Sequence, residues 1–116
     1  HPSNKIKRLN FDDLKINLDD SDIGKLIYNS DIVFTGNVSS SAAEAYALNK
    51  KIICARNFEQ LNMSPLRGLK EVSFVNDSEG FVKALEEKLS SNNIITNQIF
   101  FNLNDNLALW KGILKI

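Results

Sequence analysis

The sequence predicts an α/β domain with a parallel sheet of about four strands flanked by helices. Short apolar runs typical of buried strands occur at residues 32–35, 52–55 and 72–75. Helical patterns lie between or after these runs, and most of the links are short. Because right-handed crossovers connect strands that alternate with helices, we expect the strands to be parallel.

Size and composition limit the kinds of protein this can be. The chain has 116 residues, 43% of them apolar, which suits a single domain spanning residues 1–116. Lys and Arg together number 14, as do Asp and Glu, so the formal net charge is zero. A general nucleic-acid-binding surface usually needs a basic excess, and we therefore expect no nucleic-acid partner.

Cys54 is the only cysteine, which excludes an internal disulfide and a cysteine-based zinc site. Its place in an apolar run predicts a buried side chain and is compatible with a reducing compartment. No apolar run reaches the length of a membrane span. We therefore expect a cytoplasmic protein, and the absence of an initial Met suggests a piece of a longer one.

The predicted elements follow from local patterns. Residues 14–18 alternate apolar and polar, as a half-buried strand does, and supply the fourth strand. Acidic residues up to Asp22 predict the N-terminus of a helix that Asn29 ends. The run at residues 32–34 is continuous, which predicts a strand covered on both faces. A helix over about residues 41–48 would end at Asn49 in the left-handed conformation.

The second half of the chain continues the alternation. A long loop over residues 56–70 contains Pro65 and Gly68, and long ordered loops at sheet ends are often functional. Ser78 begins an amphipathic helix with one predicted apolar face, formed by Phe81, Val82, Leu85 and Leu89. A last helix, capped at residue 104 or 105, would carry Trp110 and Ile113, and the spacing of Trp110 with Leu107 and Leu114 predicts that Trp110 lies in the core.

Three consecutive serines follow the strand at residues 32–35, after a turn formed by Gly36 and Asn37. A helix start presents free N–H groups and a positive dipole end, which attract phosphate. In open α/β sheets, ligands bind beyond the carboxyl ends of the strands, where these serines should lie. The alternative is purely structural: Ser41 and Glu44 have the spacing of a capping box. The sequence has neither a Walker-type nor a Gly-x-Gly-x-x-Gly pattern.

Two further groups could contribute to such a site. His1 would stand at the same edge if a strand ended just before it, although a terminal histidine is more simply exposed to solvent. Arg67, in the loop with Asn62 and Ser64, could pair with a phosphate, or it could be an ordinary surface arginine. Neither a Ser–His–Asp grouping nor metal-ligand spacing stands out. We therefore expect binding and electrostatics without a metal or a cofactor.

Two segments together resemble a known family. TGNVSSSAAEAY at residues 35–46 and QLNMSPLRG at residues 60–68 are similar to motifs of bacterial surface-carbohydrate biosynthesis proteins. They resemble the C-terminal, donor-binding half of GT-B-type glycosyltransferases, which is a Rossmann-like domain. His1-Pro2 with the serines also resembles the HP and Ser-Ser motifs of bacterial sialyltransferases and polysialyltransferases, and teichoic-acid glycerophosphotransferases look similar there.

The resemblance implies a role for each matching residue. It implies that the donor phosphate or nucleotide is bound by His1, Gly36, Asn37, Ser39, Ser40, Ser41 and Glu44. It also implies a donor loop that includes Asn62, Ser64 and Arg67. The nucleotide-sugar is then a substrate, with CMP and CDP as candidate leaving groups and a glycan or lipid as acceptor.

The departures from the family predict an incomplete protein. GT-B donor domains have about six strands and face an N-terminal domain that carries the catalytic base. We therefore expect this chain to be inactive alone, with that domain or a second copy as partner. The location would be cytoplasmic, including the inner face of the membrane. Two alternatives stay open: a non-catalytic flavodoxin-like binding module and a sugar-nucleotide epimerase domain.

Overall fold

The computed structural model describes residues 15–91 and 108–115. Within those ranges, the helices are α1 (Ile23–Tyr28), α2 (Ser40–Ala47), α3 (Ser78–Ser90) and α4 (Ala108–Leu114). The strands are β1 (Ile32–Gly36), β2 (Lys51–Ala55) and β3 (Val72–Val75). Each of the three apolar runs at residues 32, 52 and 72 is therefore a strand, as the sequence predicts.

The described strands form one sheet in the order β1-β2-β3, and both pairings are parallel. Gly36 pairs with Ala55, and Ala55 pairs with Val75, so all three strands end at the same level. This confirms a small α/β domain with a parallel sheet, an arrangement compatible with a Rossmann-like topology.

The sheet of the described chain has three strands and not the predicted four. Residues 15–18 are not part of a strand, and residue 14 lies outside the described ranges. Ile16 and Leu18 are 54% and 58% exposed. Alternation of apolar and polar residues is not sufficient for a strand, because its backbone groups also need a neighbouring strand to pair with.

The sheet separates two apolar clusters. On one face, β2 packs with α1, α2 and the loop residue Leu66. On the other face, Ile53 and Val75 pack with Ala84 of α3. The central strand is thus covered on both sides, and Ile52, Ile53 and Cys54 are fully buried. This confirms the prediction that Cys54 is buried.

Coverage on both faces was predicted for residues 32–34, and there the prediction is wrong. Ile32 and Val33 are only partly buried, and Phe34 is 56% exposed. In the described sheet, β1 pairs with a strand on one side only. An apolar run therefore indicates a strand but not whether that strand is central or at an edge.

Helix ends follow the sequence signals closely. Asp22 caps α1, and its carboxylate accepts hydrogen bonds from the N–H groups of Gly24 (2.9 Å) and Lys25 (3.3 Å). Asn49 follows α2 with a φ of 57°, as predicted. The Asn49 N–H donates to the Tyr46 carbonyl (3.0 Å) and the Lys50 N–H to the Ala45 carbonyl (2.9 Å). Together these bonds form a Schellman motif.

The packed face of α3 differs from the predicted one. Ala84 is buried, and Phe81 and Leu85 are partly buried, whereas Val82 and Leu89 are exposed. The inner stripe therefore follows the i, i+3, i+4 spacing from Phe81, and Val82 lies about 100° away from Phe81 around the helix. The Lys51 ammonium donates to the carbonyls of Lys88 (2.6 Å) and Ser91 (2.7 Å) and so anchors the end of α3.

The last helix, α4, is present as predicted, and its Ile113 and Leu114 side chains are exposed. The predicted cap at residue 104 or 105 lies outside the described residues. The side chain of Trp110 lies outside the described part of the chain. Among the described residues, no helix is long and apolar enough to cross a membrane.

Candidate functional site

The candidate site lies where β1 passes into α2. After Gly36 the chain makes a tight turn, closed by a bond from the Ser39 N–H to the Gly36 carbonyl (3.2 Å). Ser39 has extended backbone angles and is the N-cap of α2, with Ser40 at the first helical position. The three serines therefore surround the N-terminus of a helix at the carboxyl end of a strand, as the sequence predicts.

The capping geometry corrects one prediction. The Ser39 hydroxyl, not that of Ser41, caps the helix and accepts from the Ser41 N–H (3.3 Å). Ser41 stands at the second helical position, so it cannot form the predicted capping box with Glu44. Glu44 is exposed on α2. The helix begins at Ser40, one residue earlier than predicted, because Ser39 is the residue that caps it.

Three hydroxyl groups form a chain at this junction. The Thr35 and Ser41 oxygens are 3.0 Å apart, and the Ser41 and Ser39 oxygens are 2.6 Å apart. Ser41 is only 9% exposed, so this polar side chain depends on its partners. Thr35 was not predicted as a site residue. Strand alternation from Val33 could have identified it, since it puts Thr35 on the α2 face.

A count of protons shows how many hydrogen bonds the three hydroxyls can donate to a ligand. Three hydroxyls carry three protons, and the two bonds between them use two. If Thr35 donates to Ser41 and Ser41 donates to Ser39, the Ser39 proton is left to point outward. An anion at the helix N-terminus would favour that direction, because hydrogen bonds in a chain polarise one another.

The other residues of the predicted phosphate site lie around this chain of hydroxyls. Ser40 and Gly36 are exposed, whereas Asn37 is partly buried. Within the described residues, the Asn37 side-chain oxygen is buried without a hydrogen-bond partner. His1 lies outside the described ranges, so its role stays a prediction.

The predicted donor loop folds on itself. The Asn62 side chain accepts from the Ser64 N–H (3.0 Å), and the Ser64 hydroxyl accepts from the Leu66 N–H (3.2 Å). Ser64 and Leu66 are fully buried, and Leu66 packs in the same cluster as α2. Asn62 and Ser64 thus shape a turn that anchors the loop to the core.

Arg67 follows that turn and is exposed. Its guanidinium donates to the Ser64 carbonyl (3.3 Å), within the same turn. Gly68 has a φ of 85°, a left-handed conformation that favours glycine. Binding of the donor by Asn62, Ser64 and Arg67 stays a prediction.

Comparison with protein families, curated proteins and solved structures gives no match. The candidate site therefore rests on the residues of this chain.

Arg56, a cation not predicted as a site residue, lies at the same sheet edge. Arg56 comes directly after β2, as Asn37 comes directly after β1. Its guanidinium donates to the Gln60 carbonyl (3.2 Å) and lies 4.9 Å from the centre of the Phe58 ring. The position of Arg56 beside Asn37 depends on the register of the parallel strands. The sequence does not reveal that register, so it gave no signal for Arg56.

The described residues hold no cluster of His, Cys, Asp and Glu that could bind a metal ion. Burial raises the pKa of the Cys54 thiol to about 11. Because the reactive form of cysteine is the thiolate, a buried thiol with a raised pKa is a poor nucleophile. Cys54 is therefore part of the core and not of the site.

Two open cavities lie on the α3 side of the sheet. One, of about 310 Å³, is bordered by Phe34 and Phe81, whose rings meet edge to face with centroids 4.7 Å apart. The other, of about 460 Å³, runs along α3 past Asp77 and Lys83. Both share Val75, Asn76 and Asp77 in their walls and are separate from the serine residues around α2.

Proposed function

We propose that this chain is the donor-nucleotide-binding part of a bacterial glycosyltransferase acting in surface polysaccharide biosynthesis in the cytoplasm. It would bind a nucleotide-activated sugar for transfer to a glycan or lipid acceptor. One observation carries the proposal: Ser39 and the exposed Ser40 stand at the N-terminus of α2, just beyond the carboxyl end of β1. The resemblance of the amino-acid sequence to the donor-binding half of GT-B enzymes supplies the substrate class.

The chemistry proposed for this site is electrostatic. When the sugar leaves the nucleotide, negative charge grows on the phosphate. In the first turn of α2, the Ser41 N–H donates to the Ser39 hydroxyl and the Ala42 N–H to the Ser39 carbonyl (3.3 Å), so among the described contacts the Ser40 N–H is the one left for a ligand. The helix dipole is positive at that end. Ser39 and the exposed Ser40 add hydroxyl donors at the same place. Donors that are already in position stabilise such a leaving group at little reorganisation cost.

Turnover would need groups from outside the described residues. A base has to take the proton of the acceptor hydroxyl, and the resemblance assigns that base to the N-terminal domain of the same protein. We therefore expect this chain to bind a nucleotide without transferring sugar.

A non-catalytic binding module is the second candidate, and one observation favours it. The Ser39 hydroxyl already caps α2, and the Ser41 hydroxyl already bonds to both Thr35 and Ser39. Serines used in this way could serve the fold alone. Ser40 is exposed at the first helical position and has no such bond among the described contacts. Its substitution therefore distinguishes the donor-binding candidate, which needs the Ser40 hydroxyl, from the binding module, which does not.

The deciding experiment is a titration of the ¹⁵N-labelled 116-residue chain with CMP, CDP, UDP and GDP, followed by NMR and by thermal melting. We expect one of these nucleotides to shift amide signals of residues 36–44 and to raise the melting temperature. At 100 times the dissociation constant, the stabilisation should be about 2.7 kcal/mol.

A matched pair of variants serves as control. Ser40→Ala should weaken nucleotide binding, and Ser78→Ala should not, although both serines stand exposed at the first position of a helix. If none of the four nucleotides shifts any signal, the donor-site proposal is wrong and the binding-module candidate stands.

A further inference from the structure

Helix α4 carries exposed apolar side chains that the described domain does not cover. Ile113 and Leu114 are 71% and 58% exposed. No other described helix or strand makes substantial contact with α4, whereas α1, α2 and α3 each pack against a neighbour. A helix of seven residues is marginal in water by itself, so most of its stability has to come from packing. The described part of the chain does not supply that packing.

The charged side chains in and next to α4 are all basic. Lys111 and Lys115 are exposed, and residues 106–116 contain no Asp or Glu. The whole chain has a formal charge of zero, so this segment is a local concentration of positive charge. We call Lys111, Ile113, Leu114 and Lys115 the α4 patch. It combines apolar and basic side chains, as helices that lie on a membrane surface do.

An anionic membrane fits the α4 patch better than a second copy of the chain does. Direct packing of α4 on α4 in a dimer would bring four lysines together, and like charges across an interface are unfavourable. Anionic headgroups attract lysines, and the boundary below them takes up apolar side chains. The chain's only tryptophan, Trp110, belongs to the same helix, and tryptophan is enriched at membrane–water interfaces.

We propose that the α4 patch binds the surface of an anionic membrane. Ile113 and Leu114 enter the boundary between headgroups and acyl chains, and the two lysines lie among the headgroups. The binding is weak and reversible, because one short helix and two charges supply all of it. This inference goes beyond the proposed function and does not depend on nucleotide binding.

Co-sedimentation of the 116-residue chain with lipid vesicles tests the proposal. One set of vesicles contains phosphatidylglycerol and phosphatidylcholine in equal parts, and the other contains phosphatidylcholine alone. The chain should bind the anionic vesicles roughly 25 times more tightly, since each of the two lysines contributes about fivefold. The fluorescence emission of Trp110 should move to shorter wavelength on binding, because an indole at the interface is partly removed from water.

A matched pair of double variants locates the apolar contact. Ile113→Ser/Leu114→Ser should weaken binding to the anionic vesicles by about tenfold or more, because it removes the two side chains that leave water. Val82→Ser/Leu89→Ser removes two exposed apolar side chains from α3 and should leave binding unchanged. Both variants change exposed residues, so thermal melting should show that they fold like the wild type.

A second pair isolates the charge. Lys111→Gln should weaken binding to the anionic vesicles by about fivefold and should not alter binding to phosphatidylcholine alone. Lys83→Gln removes an exposed lysine from α3 and should have no effect on either. Added salt should weaken binding of the wild-type chain, because it screens the attraction between lysines and headgroups.

The proposal is overturned if the chain does not sediment with anionic vesicles, or if it binds both kinds of vesicle equally. It is also overturned if the α3 double variant loses binding as the α4 double variant does. Unchanged emission from Trp110 on sedimentation, the result expected for a tryptophan in the core, would place the membrane contact elsewhere. A wild-type dimer that Ile113→Ser/Leu114→Ser converts to a monomer, without vesicle binding by either, would assign the α4 patch to a second copy.

Discussion

The hydroxyl oxygens of Thr35 in β1 and Ser41 in α2 lie 3.0 Å apart. This contact joins the end of a strand to the first turn of the helix that follows it, across the turn at residues 36–39. Because Ser41 is nearly buried, its hydroxyl must find a partner in the protein, and Thr35 supplies one. The junction that presents the candidate site is thus built by side chains as well as by the backbone.

A double-mutant cycle should measure this contact. Thr35→Val leaves the Ser41 hydroxyl one bond short and should lower the free energy of unfolding by about 1 kcal/mol, whereas Ser41→Ala leaves both Thr35 and Ser39 one bond short and should cost about 1–2 kcal/mol. The double variant should cost less than the sum of the two, with a coupling of about 0.5–1 kcal/mol. Urea denaturation measures all four proteins, and strictly additive effects would show that the two hydroxyls do not interact.

Ser39 and Ser40 should differ in their effect on stability. Ser39→Ala removes the N-cap of α2 and should cost about 1 kcal/mol. Ser40→Ala changes an exposed residue inside the first turn, where alanine is a good helix former, and should change stability by less than about 0.5 kcal/mol. Thermal and urea unfolding of both variants test this. Equal losses would contradict the assignment of Ser39 as the cap.

The loop that contains Leu66 should be part of the cooperative core. Leu66→Ala should lower the free energy of unfolding by about 2–5 kcal/mol, because the side chain is fully buried against the α2 cluster. Leu61→Ala, in the same loop but exposed, is the matched control and should cost less than about 0.5 kcal/mol. A small effect at Leu66 would mean that the loop is not anchored to the core.

Cys54 should make the protein less stable in alkali. Burial raises its pKa from 9.0 to about 11, so the unfolded chain loses this proton at lower pH than the folded chain does. The contribution of the Cys54 proton to the free energy of unfolding is fully present below pH 9 and is lost as the pH rises to 11. The free energy of unfolding should therefore fall by about 1 kcal/mol at pH 10 and by about 2 kcal/mol at pH 11.

Cys54→Ala isolates this contribution. Burial, and secondarily Glu71, also raises the pKa of Tyr46, which acts in the same direction, so the wild-type curve alone is not sufficient. The difference in unfolding free energy between wild type and Cys54→Ala should shrink by those amounts between pH 9 and pH 11. A difference that stays constant over this range would show that the thiol is not buried in the folded protein.

The sequence predicted helix ends correctly where neighbouring residues alone determine the backbone conformation. Asp22 caps α1 and Asn49 adopts a left-handed conformation, because both effects depend on a few neighbouring backbone groups. Each of the three apolar runs became a strand. At the serines, the sequence located the helix start to within one residue but assigned the cap to Ser41 instead of Ser39.

Predictions that depended on neighbours distant in the chain were less successful. The alternation at residues 15–18 predicted a strand, but these residues are exposed and outside the sheet. The continuous run predicts that Phe34 is covered, but it is exposed, because α3 packs mainly over β2 and β3 on that face of the sheet. Of the four residues predicted on the packed face of α3, Phe81 and Leu85 pack there beside Ala84, whereas Val82 and Leu89 are exposed.

The order of residues along this chain is enough to specify a parallel α/β domain and a serine-lined helix start after its first strand. Those features follow from hydrophobic period, capping and turn chemistry, which act over a few residues. Tertiary structure alone decided that Thr35 bonds to Ser41 and that Arg56 lies level with Asn37 at the sheet edge. Both relationships depend on strand register and helix docking, which are set by packing between segments far apart in the sequence.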